Sequence, residues 1–278
     1  MNTCTVIPIH PPHFKYAHEA LKSHRLYVNT DLYFVFTTDR DQHMFRDNLP
    51  PELRDATWKG IIFNGSVTEG IITQKKLFAV DNLSSNYDYI GVFDSEILFV
   101  KPFDTNSIYK EISDSKIFKS NKRGTIEHLK FVVDIMGYGN NETLIKETEN
   151  FTQYWWFNEI CVYESKKFKE FYSWLLSHPN SKNILNDFRC FDYLLYSIWL
   201  ICNKEYRLKK HLVGIIKMGA AIETNFDNND ISYEFMSYQD RNINHESIEH
   251  IKVQIMIDRD INHCSAEGRI VEVYQLPY

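Results

Sequence analysis

Short apolar runs rich in β-branched and aromatic residues recur along the first third of the chain, and each breaks off at a polar or proline-rich turn. Residues 3–9, 32–38, 60–63 and 89–93 have the length and composition of buried strands rather than amphipathic helices. Residues 16–23 and 69–83 carry helical patterns between them. Strand, turn and helix repeated in this order predict an α/β fold, a mostly parallel central sheet flanked by helices. His10-Pro11-Pro12-His13 closes the first strand; its prolines forbid helix, so an exposed loop is expected.

Beyond residue 96 the pattern predicts a strand at 97–100, a helix at 107–113, a strand at 116–119 and a helix at 125–136. Residues 137–149 are polar, open with Gly137-Tyr138-Gly139-Asn140-Asn141, and are expected to form a mobile loop near an acceptor site. Phe157-Asn158 enters a further strand, and a serine-capped helix follows from Lys166. Residues 186–202 read as one long apolar helix with Asp192 inside it. The tail alternates strands, one at 251–257, with polar turns. No repeat and no linker requires a domain boundary, so residues 1–278 are expected to form a single domain.

The most informative stretch is YDYIGVFDSEILFVKPFD, residues 87–104. A buried strand ends at Asp94-Ser95-Glu96, a second apolar run follows at once, and Lys101-Pro102 stops it. Two carboxylates therefore sit at the carboxyl end of a buried strand, where open α/β sheets build ligand crevices. Their mutual repulsion is relieved by a bound divalent cation, and all-oxygen ligands favour Mg²⁺ or Mn²⁺. A charged turn without metal is the plainer reading of the same three residues.

With these flanks, the segment resembles the metal-binding stretch of nucleotide-sugar glycosyltransferases of the GT-A fold, although Glu96 stands where aspartate is more usual. The resemblance spans residues 3–199 and implies a metal-dependent transferase. In it Asp94 and Glu96 hold a cation on the donor diphosphate, and Ser95 lies against the donor. Pro8 and His10 match the opening loop that meets the nucleobase; a loop histidine without a ligand is the bland alternative. Phe157-Asn158 resembles a segment whose asparagine touches the donor sugar, so Asn158 inherits that role. Lys76, on the helix before the acidic strand, would meet ribose or phosphate; Lys75 and Lys76 are otherwise solvated surface lysines. Asp192 would orient the sugar or the acceptor hydroxyl, and Glu159 or Asp192 would be the base of an inverting enzyme. A third metal ligand is expected near the C-terminus, with His263 or Asp258 favoured over His211, His245 and His250. Residues 1–120 would then be the donor-binding part and residues 121–278 the acceptor side.

Two of these acids have readings independent of the resemblance. Asp39, just past the second strand, suits either a base or ribose contact or a helix N-cap. Asp192, between Phe191 and Tyr193, needs a partner or a function, and Arg189 is a candidate for an ion pair.

A net charge of −6 argues against a nucleic-acid partner held through phosphates. Seventeen tyrosines and five tryptophans offer platforms for sugar rings, though most should simply fill the core. Cys4, Cys161, Cys190, Cys202 and Cys264 are odd in number and scattered, which fits reduced thiols and no structural zinc. With no signal peptide and no apolar run of membrane-spanning length, the expectation is a cytoplasmic enzyme of bacterial or viral type, with peripheral membrane contact at most. The expected partners are a nucleotide-sugar donor, UDP-linked ahead of GDP-linked, and a glycan or lipid-linked acceptor. A sugar-nucleotide nucleotidyltransferase is a rival, but residues 6–14 lack the glycine-rich loop of such enzymes. A carbohydrate-binding protein that has kept the fold without turnover is a second.

Overall fold

The computed structural model describes residues 1–95, 97–99, 104–114, 119–124, 126–148, 154–157, 161–204, 206 and 273–275. The first half alternates strand and helix, with one helix, α2, beyond those that the pattern assigns: β1 (Thr3–Pro8), α1 (Phe14–Tyr27), β2 (Asp31–Phe36), α2 (Asp39–Asp47), β3 (Lys59–Ile62), α3 (Ile71–Leu83) and β4 (Tyr89–Val92). Next come β5 (Ile97–Phe99), α4 (Thr105–Asp114), β6 (Lys119–Gly124), α5 (Ile126–Ile135), α6 (Glu142–Thr148), β7 (Tyr154–Phe157) and β8 (Cys161–Glu164). The described chain ends with α7 (Ser165–Ser177), α8 (Ser181–Asn186), α9 (Asp192–Asn203) and β9 (Val273–Gln275).

The central sheet has the order β3-β2-β1-β4-β8. Its first four strands run parallel, and β8 closes the edge antiparallel to β4. β1 is the sheet's organiser, pairing Val6 with Tyr33 on one side and with Val92 on the other. Both faces are covered, which is why these strands read as nearly continuous apolar runs. Cys4, Val6 and Val35 pack towards α3, α7 and α9, whereas Ile7, Phe34 and Phe36 pack towards α1 and Phe45 of α2. The expectation of an α/β fold with a mostly parallel, helix-flanked sheet is met.

Local chemistry explains several boundaries. A capping box starts α2, with Thr38 and Asp41 exchanging side-chain and backbone bonds. Gly91 allows close packing against β4, since a Cβ there would come 2.2 Å from the Tyr109 hydroxyl. That hydroxyl bonds Thr5 Oγ1 at 3.0 Å and ties α4 to β1.

Four expectations need correction. Pro11–His13 forms a short 3₁₀ turn, because proline is favourable in the first turn of a helix and disruptive only further in. Residues 137–149 are largely not a loop: Gly137, at φ 75°, ends α5, and the Asn141 carboxamide accepts from Leu144 N at the start of α6. Ser165 does not cap α7; its hydroxyl donates to the Tyr87 carbonyl at 2.5 Å and Glu164 takes the cap position. The segment at 186–202 is not one helix: α8 ends at Asn186, residues 187–191 form a turn, and α9 starts only at Asp192, after extended Phe191. Among the described residues no helix is long and apolar enough to cross a membrane.

Candidate functional site at the carboxyl end of the sheet

Three side chains that are far apart in sequence meet beyond the carboxyl ends of β1 and β4. Lys76 comes from the middle of α3, Asp94 follows β4, and Asp192 opens α9. The Lys76 ammonium lies 2.7 Å from Asp94 Oδ1 and 3.4 Å from Asp192 Oδ1. Only 1% of the Asp192 side chain and 7% of the Lys76 side chain is exposed, against 31% for Asp94, so the cluster is buried at one end and open at the other.

The surface-lysine reading of Lys75 and Lys76 is therefore wrong, because α3 is buried on most of its circumference. Arg189 is likewise not the partner of Asp192; it forms a fork with Asp187, two residues away.

The Asp192 carboxylate is held in three ways. The Tyr163 hydroxyl, from β8, donates to its Oδ2 at 2.7 Å. The amino-terminal dipole of α9 favours a negative charge at the first helical position. Lys76 supplies the opposite charge, although Asp192 Oδ1 accepts no hydrogen bond from any described group. Burial alone would favour a neutral Lys76, but Asp192 first and then Asp94 outweigh it and hold the amine protonated well above the ordinary lysine range.

The turn after β1 forms the adjoining wall. Pro8 ends β1 and is buried; His10 is half-buried, its ring centroid 4.0 Å from that of His13. Burial, followed by the neighbouring His13 and Lys75 charges, pushes the His10 imidazole down to about 4, so it is neutral at physiological pH. His13 Nδ1 lies 3.1 Å from the Ser95 hydroxyl and links this turn to the acidic turn after β4. Ser95 is buried.

The fold thus brings Pro8, His10, Lys76, Asp94, Ser95 and Asp192 to one end of the sheet. Asp39 is exposed in the first turn of α2, and the cap role weighed for it falls to Thr38. Glu96, Asn158, Glu159, Asp258 and His263 lie outside the described residues. His13 and Tyr163 escaped the sequence reading as site residues. The Tyr163–Asp192 contact joins residues 29 apart, which no local periodicity reveals, but the unpaired acid among aromatics did signal that a partner existed.

Among the described residues no three His, Cys, Asp or Glu side chains converge into a metal-holding group. The chemistry present nevertheless suits a hard cation: Asp94 supplies carboxylate oxygen at the more exposed end of the cluster.

No family model matches this sequence, and neither does any curated protein. Several solved structures are similar. Mouse xyloside xylosyltransferase 1, apo form, is 11% identical, over 99% of this chain and 96% of that one, with a TM-score of 0.49. The galactosyltransferase LgtC, in complex with donor and acceptor sugar analogs, is 11% identical, over 77% and 75%, with a TM-score of 0.40. Core-mannan synthase A from Aspergillus fumigatus, Mn/GDP form, is 10% identical, over 77% and 75%, with a TM-score of 0.42.

Proposed function

We propose that this protein is a metal-dependent glycosyltransferase of the GT-A type, which moves a sugar from a nucleotide-sugar donor to a glycan or lipid-linked acceptor. The observation that carries this reading is the convergence of Lys76, Asp94 and Asp192 at the carboxyl ends of parallel strands, where such sheets bind nucleotides. Residues 1–120 would bind the donor and residues 121–278 complete the acceptor side, in a cytoplasmic setting.

Asp94 would hold Mn²⁺ or Mg²⁺ together with Glu96 and His263. When bound, the cation supplies Lewis-acid stabilisation of the departing diphosphate. The protein's own groups have separate tasks. His10, neutral and beside the end of β1, would contact the nucleobase through its ring and neighbouring backbone. Lys76 would offer its ammonium to the donor while pairing with Asp192. Asp192, fixed by Tyr163, would orient the sugar or acceptor hydroxyl with Asn158, largely a proximity effect. Glu159 or Asp192 would take the acceptor proton if the anomeric centre inverts.

The test is hydrolysis of a panel of UDP-, GDP-, CMP- and dTDP-sugars, with Mn²⁺ or with EDTA, by wild type and Asp94→Ala. Metal-dependent release of one nucleotide, lost in the variant, is the expected result. No turnover and no calorimetric nucleotide binding with Mn²⁺ would overturn the proposal and leave the carbohydrate-binding reading.

A further inference from the structure

Lys75, beside the site lysine, is as deeply buried as any charged group in the described structure, with 1% of the residue exposed. It has no carboxylate within ion-pair distance among the described residues. Its ammonium instead donates to the carbonyl of Ile9 at 2.5 Å and approaches Thr37 Oγ1 at 3.4 Å. A buried amine without an ion-pair partner is costly, and Leu or Met at this position would fill the volume without that cost. What the ammonium provides in exchange is geometric. Ile9 is the residue between β1 and His10, and Thr37 directly follows the neighbouring strand β2, so one group on α3 fixes the carboxyl ends of two adjacent strands.

The same turn is tied at its far end, where His13 meets Ser95 at 3.1 Å. Ile9 itself donates from its amide to Val35 O at 3.0 Å, and Phe93 N donates to Val6 O at 2.9 Å, so both crevice turns leave the sheet from hydrogen-bonded positions. The turn from 9 to 13 is therefore anchored at both ends, by Lys75 at its start and by Ser95 at its finish. Displacing the start moves His10 and, through His13, bears on the turn that carries Asp94.

We infer that Lys75 is a positioning residue for nucleotide binding: by holding the Ile9 carbonyl and Thr37 it sets the turn carrying His10 and its link to Ser95. It touches no substrate itself. This inference deepens the proposed function and rests on it for its ligand, but its structural half can be read without one.

The experiment compares wild type with Lys75→Met, which keeps an unbranched side chain one atom shorter and removes the donor. Without ligand, amide hydrogen exchange at Ile9 and His13 is expected to accelerate relative to Val6 inside β1. With UDP or GDP and Mn²⁺, the nucleotide Kd and the donor KM are expected to rise about tenfold while kcat stays within about twofold, since a small misplacement of a binding group weakens capture of the donor. Unchanged exchange at Ile9, or a lowered melting temperature with unchanged nucleotide affinity, overturns the inference and reduces Lys75 to a packing residue. If wild type binds neither nucleotide, the proposed function fails and the exchange measurement alone decides the positioning role. Should Lys75→Met not fold, Thr37→Val carries the same readouts: a rise of about threefold in Kd supports the role and no change overturns it.

Discussion

The two ends of the central sheet carry the same residue types arranged to opposite effect. At the amino end Asp31, the first residue of β2, accepts from Lys59 at 2.8 Å and from the Tyr87 hydroxyl, which in turn bonds the Tyr33 hydroxyl at 2.8 Å. At the carboxyl end Asp192 accepts from Tyr163 and pairs with Lys76. Each is a carboxylate, a lysine and a tyrosine. The Lys59 and Asp31 side chains are 49% and 40% exposed, however, whereas those of Lys76 and Asp192 are 7% and 1% exposed. Water screens the first pair and not the second. An open groove of about 580 Å³ adjoins the amino-end network, lined by Tyr33, Lys59, Tyr87 and Asn106 among others. Concavity alone does not make a site. The charges that would respond to a ligand are those held out of water at the other end.

Lys76→Met should break the contrast most severely. It strands the buried Asp192 carboxylate and is expected to cost about 3–5 kcal/mol in urea unfolding. Lys59→Met should cost no more than about 1 kcal/mol by the same measurement.

Lys75 gives a pH signature that the amino end lacks. Burial pushes its amine down to about 8, from 10.5 for an ordinary lysine. Between these values the unfolded chain holds a proton that the folded one has released, so stability rises with pH across this window and the contribution is lost as pH falls through 8. Wild type should gain on the order of 2–3 kcal/mol over Lys75→Met from pH 8 to pH 10.5, followed by urea unfolding. A constant difference between the two proteins would contradict the burial described for Lys75.

Tyr163→Phe should have a smaller effect. It removes the donor to Asp192 Oδ2 and leaves a buried charge short of one bond, at a cost of about 2 kcal/mol. Its counterpart at the amino end, Tyr87→Phe, should fall below that, because water can replace the lost donor at Asp31.

The smallest effect expected is that of Asp31→Asn, within about 1 kcal/mol and shrinking as salt is added from 0.05 to 0.5 M. A salt-insensitive loss of several kcal/mol would mean that the two ends are energetically alike and would erase the contrast. In wild type, the hydrogen bonds from Lys59 first and Tyr87 next outweigh burial and hold the Asp31 carboxyl below the usual carboxylate range. Its contribution should accordingly be present at neutral pH and vanish as pH falls through that lowered value.

Local pattern determined the strands of the central sheet, their alternation with helices and the position of Asp94-Ser95 at a strand end. Buried parallel strands must be apolar on both faces, and that requirement is written residue by residue. Caps and breaks were less legible: a turn at 187–191 holds the start of α9 back to Asp192 in what reads as one helix, and Asn141 begins a helix inside a polar segment. Only the tertiary structure decided which charges are buried and with whom. Lys75 and Lys76 are consecutive lysines in an ordinary helical sequence, and nothing in their neighbours distinguishes them from surface residues. Their burial follows from the helices and strand ends packed around α3, and the choice of Lys76 over Arg189 as the partner of Asp192 follows from where α3 and α9 meet. The sequence shows that a carboxylate among aromatics needs a partner; the fold chooses it, because desolvation and Coulomb attraction depend on distances that chain separation does not set.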